Sequence, residues 1–175
     1  FPEPSGSMKA SAPGYFFATV TAALLAVILL TPFLFPYGHF TDLGGTSGVM
    51  DHDWRISEWI YALGDMFCHQ QTDRSFVING SQTAFCSRDV GMIFGFASGL
   101  PVLGYILERT EIRGTKLNIL GLLFLAVLFG EWAVGAVMGY DLKYLRFLSG
   151  TAGGIGIAML FQSYAFSVWR SEGVG

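Results

Sequence analysis

The stretch GYFFATVTAALLAVILLTPFLF, Gly14 to Phe35, contains no charged side chain. A hydrocarbon layer about 30 Å thick takes about 20 helical residues to cross, at about 1.5 Å each. Backbone N–H and C=O groups find no water in that layer, so the segment must pair them internally as a helix. It is too long for a signal-peptide core and lacks a convincing small-residue cleavage site, and therefore reads as a retained helix. Three further stretches of the same kind cover residues 90–107, 117–138 and 145–168. Composition agrees, with 52% hydrophobic, 15% aromatic and only 13% charged residues. The fold class expected is an all-α integral membrane protein with four transmembrane helices. Residues 1–7, FPEPSGS, precede Met8 and read as a cloning remnant, leaving residues 8–175 as one membrane domain.

A net charge of −3 and the lack of any Lys/Arg run leave no footprint for nucleic acid. The partner implied is the lipid bilayer of the cell membrane. With the N-terminus inside, Lys9, Arg109, Arg113, Lys116 and Arg170 fall on the cytoplasmic side, and Arg55, Arg74, Arg88, Lys143 and Arg146 on the other. The totals tie, but three of the inner charges crowd into the short loop ERTEIRGTK, which favours cytoplasmic termini.

One connection, residues 37–89, is long, too polar to span and too patterned to be disordered. In DWRISEWIYALGDMF the apolar residues Ile56, Trp59, Ile60, Leu63, Met66 and Phe67 recur at helical spacing, with Arg55, Glu58 and Asp65 on other faces. Trp54, Trp59 and Tyr61 suit the headgroup level, predicting a helix at the interface. In SFVINGSQTAF an Asn-Gly pair separates two β-prone runs, the strongest short-range signal for a β-hairpin. A two-residue turn at Asn79-Gly80 would set Cys86 roughly opposite Asp73. The same residues match a glycosylation sequon, which the hairpin explains better.

Small residues repeat every fourth position along the spans: Gly91, Gly95 and Gly99; Gly135 and Gly139; Gly150, Gly154 and Ala158. Such stripes let helix backbones approach closely, either within the chain or against other membrane subunits or a second copy. Glu131 shares a face with Gly135 and Gly139, about 12 Å below the outer surface at about 1.5 Å per residue. An intramembrane carboxylate costs about 2.5 kcal/mol or more, and so calls for a partner or a task. Arg88 and Arg146 are the candidate partners; a proton acceptor or additional metal ligand is the alternative, and the one this crowded face favours.

The polar connection also holds both cysteines, in CHQQTDRSFVINGSQTAFCSRD. Cys68-His69-Gln70, Arg74-Ser75, Gly80 and the run CSRDVGMIFGF resemble the DUF2085-like family of small prokaryotic multi-pass membrane proteins, whose function is unknown. The likeness covers about residues 66–100. The family pattern ends in Cys-x-Arg-Cys-x-Gly, and this chain carries Asp89 where that last cysteine stands. Were the family's Cys and His residues metal ligands, Asp89 would have to serve as an oxygen ligand.

Three readings of the cluster follow from its chemistry. In the first, Cys68, His69, Cys86 and Asp89 bind zinc or another transition metal, which accepts thiolate, imidazole and carboxylate together. In the second, Cys68 and Cys86 form a disulfide worth roughly 3 kcal/mol, stapling an accessory subunit of a larger membrane complex. In the third, a cysteine is a nucleophile with His69 as its base. His39 and His52 lie on the same side of the membrane and are available to any of these. Arg74 and Arg88 flank the cluster and suit an anionic group such as a lipid phosphate, or pairing with Asp65 or Asp73. No further catalytic motif is evident, so whether the protein is an enzyme stays open at this level.

Overall fold

A computed structural model describes residues 5–46, 49–50, 52–110, 114–139 and 142–172. Four helices are long and apolar enough to cross a membrane: Pro13–Leu34, Ser87–Leu107, Gly114–Met138 and Lys143–Val168. The first belongs to α1, Ser5–Leu30, which tightens into a 3-10 turn, Thr31–Leu34, at Pro32. The others belong to α3 (Ser87–Arg109), α4 (Gly114–Met138) and α5 (Lys143–Glu172). Between α1 and α3 lie α2 (Trp59–Phe67) and the strands β1 (Ser75–Ile78) and β2 (Ser81–Cys86). The protein is thus a helical multi-pass membrane protein with a two-stranded antiparallel hairpin. The first four residues of FPEPSGS lie outside the described residues, as does Arg113 of the basic loop.

α5 is the centre of the bundle, with α3 packed on one side and α4 on the other, and α1 leans on α3. The glycine stripes of α3 and α5 face each other. A methyl group at Gly95 would collide with the Thr151 carbonyl, and one at Gly154 with the Met92 carbonyl. Gly99 rests against Ala158. These stripes are therefore spent inside the chain, where backbone contact replaces the hydrophobic drive that lipid cannot supply. Along α4 the buried seam is Leu117, Gly121, Leu128 and Gly135, while Leu122, Leu123, Phe129 and Trp132 face outward into lipid. Gly139 does not extend the seam. It ends α4 at φ +68°, its N–H bonded to the Gly135 carbonyl at 2.9 Å, a left-handed cap that glycine adopts without strain.

The connection folds into a cap on the C-terminal end of α1 and the N-terminal end of α3, sharing one core with them: Ile28, Phe40, Ile60, Tyr61, Ala84, Phe85 and Val90. The Tyr61 ring stacks on Phe40 with centroids 3.7 Å apart and donates its hydroxyl to the Gln82 carbonyl at 2.7 Å. Burial of this phenol pushes its pKa up.

Two local expectations are corrected here. The face of α2 turned to the protein is Ile60, Tyr61, Gly64 and Asp65, whereas Ile56, Trp59, Met66 and Phe67 are exposed. Asp65 can be buried because it accepts from Trp54 Nε1 at 2.9 Å and from the His52 backbone at 3.3 Å. The apolar residues remain outside, on the face that a headgroup layer would meet. The hairpin turns at Asn79-Gly80 as expected, both at positive φ, but Cys86 pairs with Ser75 rather than Asp73. A bulge between Ser75 and Val77 shifts the register. The tip is pinned by Asn79 Nδ2, which donates to the Pro32 carbonyl at 2.9 Å, so the turn accounts for this asparagine.

Candidate functional site

The bulge carries the end of β2 to the point where α2 stops. α2 ends as Cys68 takes extended backbone, its N–H held by the Gly64 carbonyl at 2.7 Å. Gln70 then turns the chain at φ +45°, its amide nitrogen donating to the carbonyls of Tyr61 and Ala84 at 2.9 and 3.0 Å. Gln82 completes the lock: its amide nitrogen donates to the Gln70 carbonyl at 2.6 Å, and its side-chain oxygen accepts from Thr72 at 2.7 Å. These two glutamines set where the cysteines lie. Gln70 belonged to the motif seen in the sequence, but the positioning role of both depends on contacts between distant segments.

Cys86 donates its backbone N–H to Cys68 Sγ at 3.3 Å, and its thiol to Asp89 Oδ2 at 3.1 Å. Asp89 reaches it because α3 begins at Ser87 and brings residue 89 back within its first turn. A carboxylate there also suits the positive end of the α3 dipole. The ligand atoms of Cys68, Cys86 and Asp89 all lie within 4.8 Å of one another. Both cysteines are free thiols, Cys68 buried and Cys86 half-buried. The neighbouring Cys86 side chain draws the Cys68 thiol below its ordinary value, while the Cys68 sulfur beside it, burial and the Asp89 carboxylate push Cys86 up.

His69 is exposed and stands outside this trio, on the wall of the cleft beside it. The other two histidines are engaged elsewhere in the cap. His39 Nε2 lies 3.3 Å from Glu58, and His52 Nδ1 lies 3.4 Å from Asp65. Arg74 also reaches the cleft, with Asp73 4.0 Å from its Nε.

Directly beneath, Arg88 on α3 donates to Glu131 on α4 at 2.6 Å, and Ser149 on α5 donates to the same carboxylate oxygen at 3.0 Å. One carboxylate thus joins three helices. Of the two arginines considered as its partner, Arg88 makes the pair, while Arg146 is buried at the cleft wall. Ser149 was not singled out from sequence; its place beside Gly150 in the packed stripe was the available signal.

The cleft has a volume of about 310 Å³ and runs from the cysteines to the C-terminal end of α4, where Trp132, Gly135 and Ala136 line it. Chemically it sets two soft sulfur donors and one oxygen donor beside the side chains of Arg74, Arg88 and Arg146.

The matches to other proteins fall on this region. Residues 68–160, more than half of the chain, match the model of the family described as "Predicted membrane protein (DUF2085)". The uncharacterized protein MJ1492 of Methanocaldococcus jannaschii is 31% identical over 145 residues, covering 81% of this chain and 88% of that protein. No solved structure matches. The matched segment begins at Cys68 and contains Cys86, Asp89, Glu131 and Ser149, and on these grounds the chain belongs to the DUF2085 family of membrane proteins.

Proposed function

We propose that this is a metal-binding membrane protein whose centre is built from Cys68, Cys86 and Asp89 at the outer mouth of the bundle. The observation carrying the reading is the convergence of two free thiols and a carboxylate within 4.8 Å. Ligands of a tetrahedral zinc ion stand roughly 3.5–3.8 Å apart, given Zn–S near 2.3 Å and Zn–O near 2.1 Å. The trio therefore needs only small side-chain movements to hold zinc or another transition metal. His69, at the cleft wall, is the candidate fourth ligand, and Glu131 is a further proton acceptor below. Elemental analysis of purified protein tests this. Near-stoichiometric metal that falls to a trace in Cys86→Ala is expected; a trace in the unaltered protein would reject the reading.

The same closeness of the sulfurs supports a second reading, a disulfide-stapled accessory subunit in an oxidising compartment. Alkylation mass shifts measured with and without prior reduction separate the two. Both readings place the cap outside the cell membrane and the termini in the cytoplasm. Cysteines introduced at exposed Tyr37 and Thr110 should then label from opposite faces, Tyr37 from outside.

A further inference from the structure

The two sulfurs of the candidate centre differ in what can reach them. Cys86 is half-buried and lines the cleft of about 310 Å³, whereas Cys68, on the same cleft, is only 6% exposed. Their segments are in direct contact. The Cys86 backbone N–H donates to Cys68 Sγ at 3.3 Å, and both sulfurs and the Asp89 oxygen lie within 4.8 Å of one another. Neither cysteine is held inside a helix: Cys68 stands in extended backbone just past α2, and Cys86 ends β2 and caps α3. Joining the sulfurs therefore asks for side-chain rotation rather than for the unwinding of a helix. The donor set also makes that joining consequential. Two of the three converging donors are sulfurs, so one new bond removes both and leaves a single carboxylate.

We infer that this centre is a hydroperoxide-responsive switch, in which oxidation of Cys68 and Cys86 to a disulfide expels the bound metal ion. The inference rests on the metal reading and adds that the metal-bound and disulfide forms are two states of one site. Coordinated thiols are deprotonated, so both sulfurs meet the oxidant as thiolates. The Cys86 thiolate, on the more open side, attacks the terminal oxygen of the hydroperoxide. An S–O bond forms as the O–O bond breaks, and the other oxygen leaves as hydroxide or alkoxide. The Cys68 thiolate then attacks the Cys86 sulfur, forming the S–S bond and displacing hydroxide. Two electrons pass from the sulfurs to the peroxide oxygens, and the departing oxygens take their two protons from water. What remains around the ion is Asp89, with His69 at the wall, and a carboxylate holds zinc far less firmly than a pair of thiolates. Hydrogen peroxide from water and a fatty-acid hydroperoxide from the bilayer carry the same reactive group. Phe67 and Trp132, which line the cleft and are 66% and 56% exposed, give the second a route in from lipid.

The test uses the purified full chain in an uncharged detergent, reduced and loaded with zinc, then treated with hydrogen peroxide or with linoleic acid hydroperoxide. A zinc-sensitive dye follows the ion, and intact-mass spectrometry follows the sulfurs. Zinc release and a mass loss of two hydrogens should advance together towards one per chain, and a phosphine reductant should restore both the mass and the uptake of zinc. Cys68→Ser, with no second thiolate at hand, should gain oxygen instead of losing hydrogen. Response to hydrogen peroxide alone supports the switch with its oxidant drawn from water, and a faster response to the lipid hydroperoxide supports it with the oxidant drawn from the bilayer. Zinc that stays bound once the disulfide has formed, zinc that leaves with oxygen added to the sulfurs and no disulfide, or thiols unchanged in an excess of both peroxides would overturn the inference and leave the metal reading intact. Protein that takes up no zinc before any peroxide is added would instead sink the metal reading, and the switch with it.

Discussion

The seam between α3 and α5 and the junction between cap and bundle are held by opposite means. Along the seam, Gly91, Gly95 and Gly154 press onto the carbonyls of Phe147, Thr151 and Met92, so helix meets helix through backbone. At the junction, Asn79 donates to the Pro32 carbonyl and Lys143 to the Thr72 carbonyl, while Gln70 and Gln82 inside the cap and the Arg88–Glu131–Ser149 cluster at the adjoining end of the bundle add buried hydrogen bonds on either side. Lipid tails are as apolar as leucine, so within the bilayer shape alone separates a good interface from a poor one. In the cap the chain turns repeatedly, and each turn frees backbone groups that need partners. The candidate site lies where the second regime begins.

The largest effect that would break this comparison is expected in the seam. Gly95→Leu must push α3 off α5, because the obstacle is the Thr151 carbonyl rather than a flexible side chain. Overpacking costs about 1–3 kcal/mol where neighbouring side chains can yield, and a backbone obstacle puts this case above that range. Loss of monodisperse protein in size-exclusion chromatography is the expected readout, and a normal elution profile would contradict backbone contact there. Next comes Arg88→Gln, which strands Glu131 in a buried site and should cost about 3 kcal/mol. Adding Glu131→Gln should recover part of that loss, and thermal melts of both singles and the double give the coupling. Glu131→Gln alone also separates two roles. A stability loss with metal content unaltered marks a structural carboxylate; an intact fold with metal lost marks a ligand or proton site.

Within the cap, Gln82→Leu leaves the Leu43 N–H and the Gln70 carbonyl without their side-chain partner and should cost about 2 kcal/mol. Faster proteolysis of residues 37–86, with the spans still protected, would sharpen the contrast between cap and bundle. Gly130→Ala is the converse case, a mid-helix glycine whose added methyl meets nothing within 4 Å. It should raise thermal stability by up to about 1 kcal/mol, the helix propensity of alanine over glycine.

The smallest effect expected is a pH response of the cap. The Arg55 backbone N–H, bonded at 2.8 Å, and His39 beside it hold Glu58 below the usual carboxylate range. A lowered folded-state pKa means the stabilisation is complete above the unfolded value and fades as pH falls through the folded one. Melting temperature should therefore slope downward below about pH 4.3, the ordinary glutamate value, and Glu58→Gln should flatten that slope.

Much of this architecture was legible one residue at a time. The four spans needed only length and hydropathy, and the turn at Asn79-Gly80 needed only residues that tolerate positive φ. The glycine stripes announced close packing, yet not which stripe met which, since a period of four says nothing of the partner. The site was legible as chemistry and not as geometry. Cys68, Cys86 and Asp89 were singled out by type and spacing, and the structure brings them together while leaving His69 at the wall. The apolar residues read as one helical face are divided by the structure, Ile60 turning to the protein with Tyr61 and Asp65 while Trp59, Met66 and Phe67 stay exposed, because the apolar period alone does not say which side meets the rest of the chain.

Sequence by itself determined what depends on neighbours along the chain: helices where about 20 apolar residues run together, a hairpin at one turn, and membrane class from composition. Only the tertiary structure decided what depends on residues far apart. The bulge at Ser75–Val77 set the register that puts Cys86 beside Cys68. The approach of α3, α4 and α5 chose Arg88 and Ser149 as the partners of Glu131. The physical reason is that a hydrogen bond or a ligand set is specified by distances of a few ångströms, and those are fixed by how whole elements pack rather than by any one segment's preference.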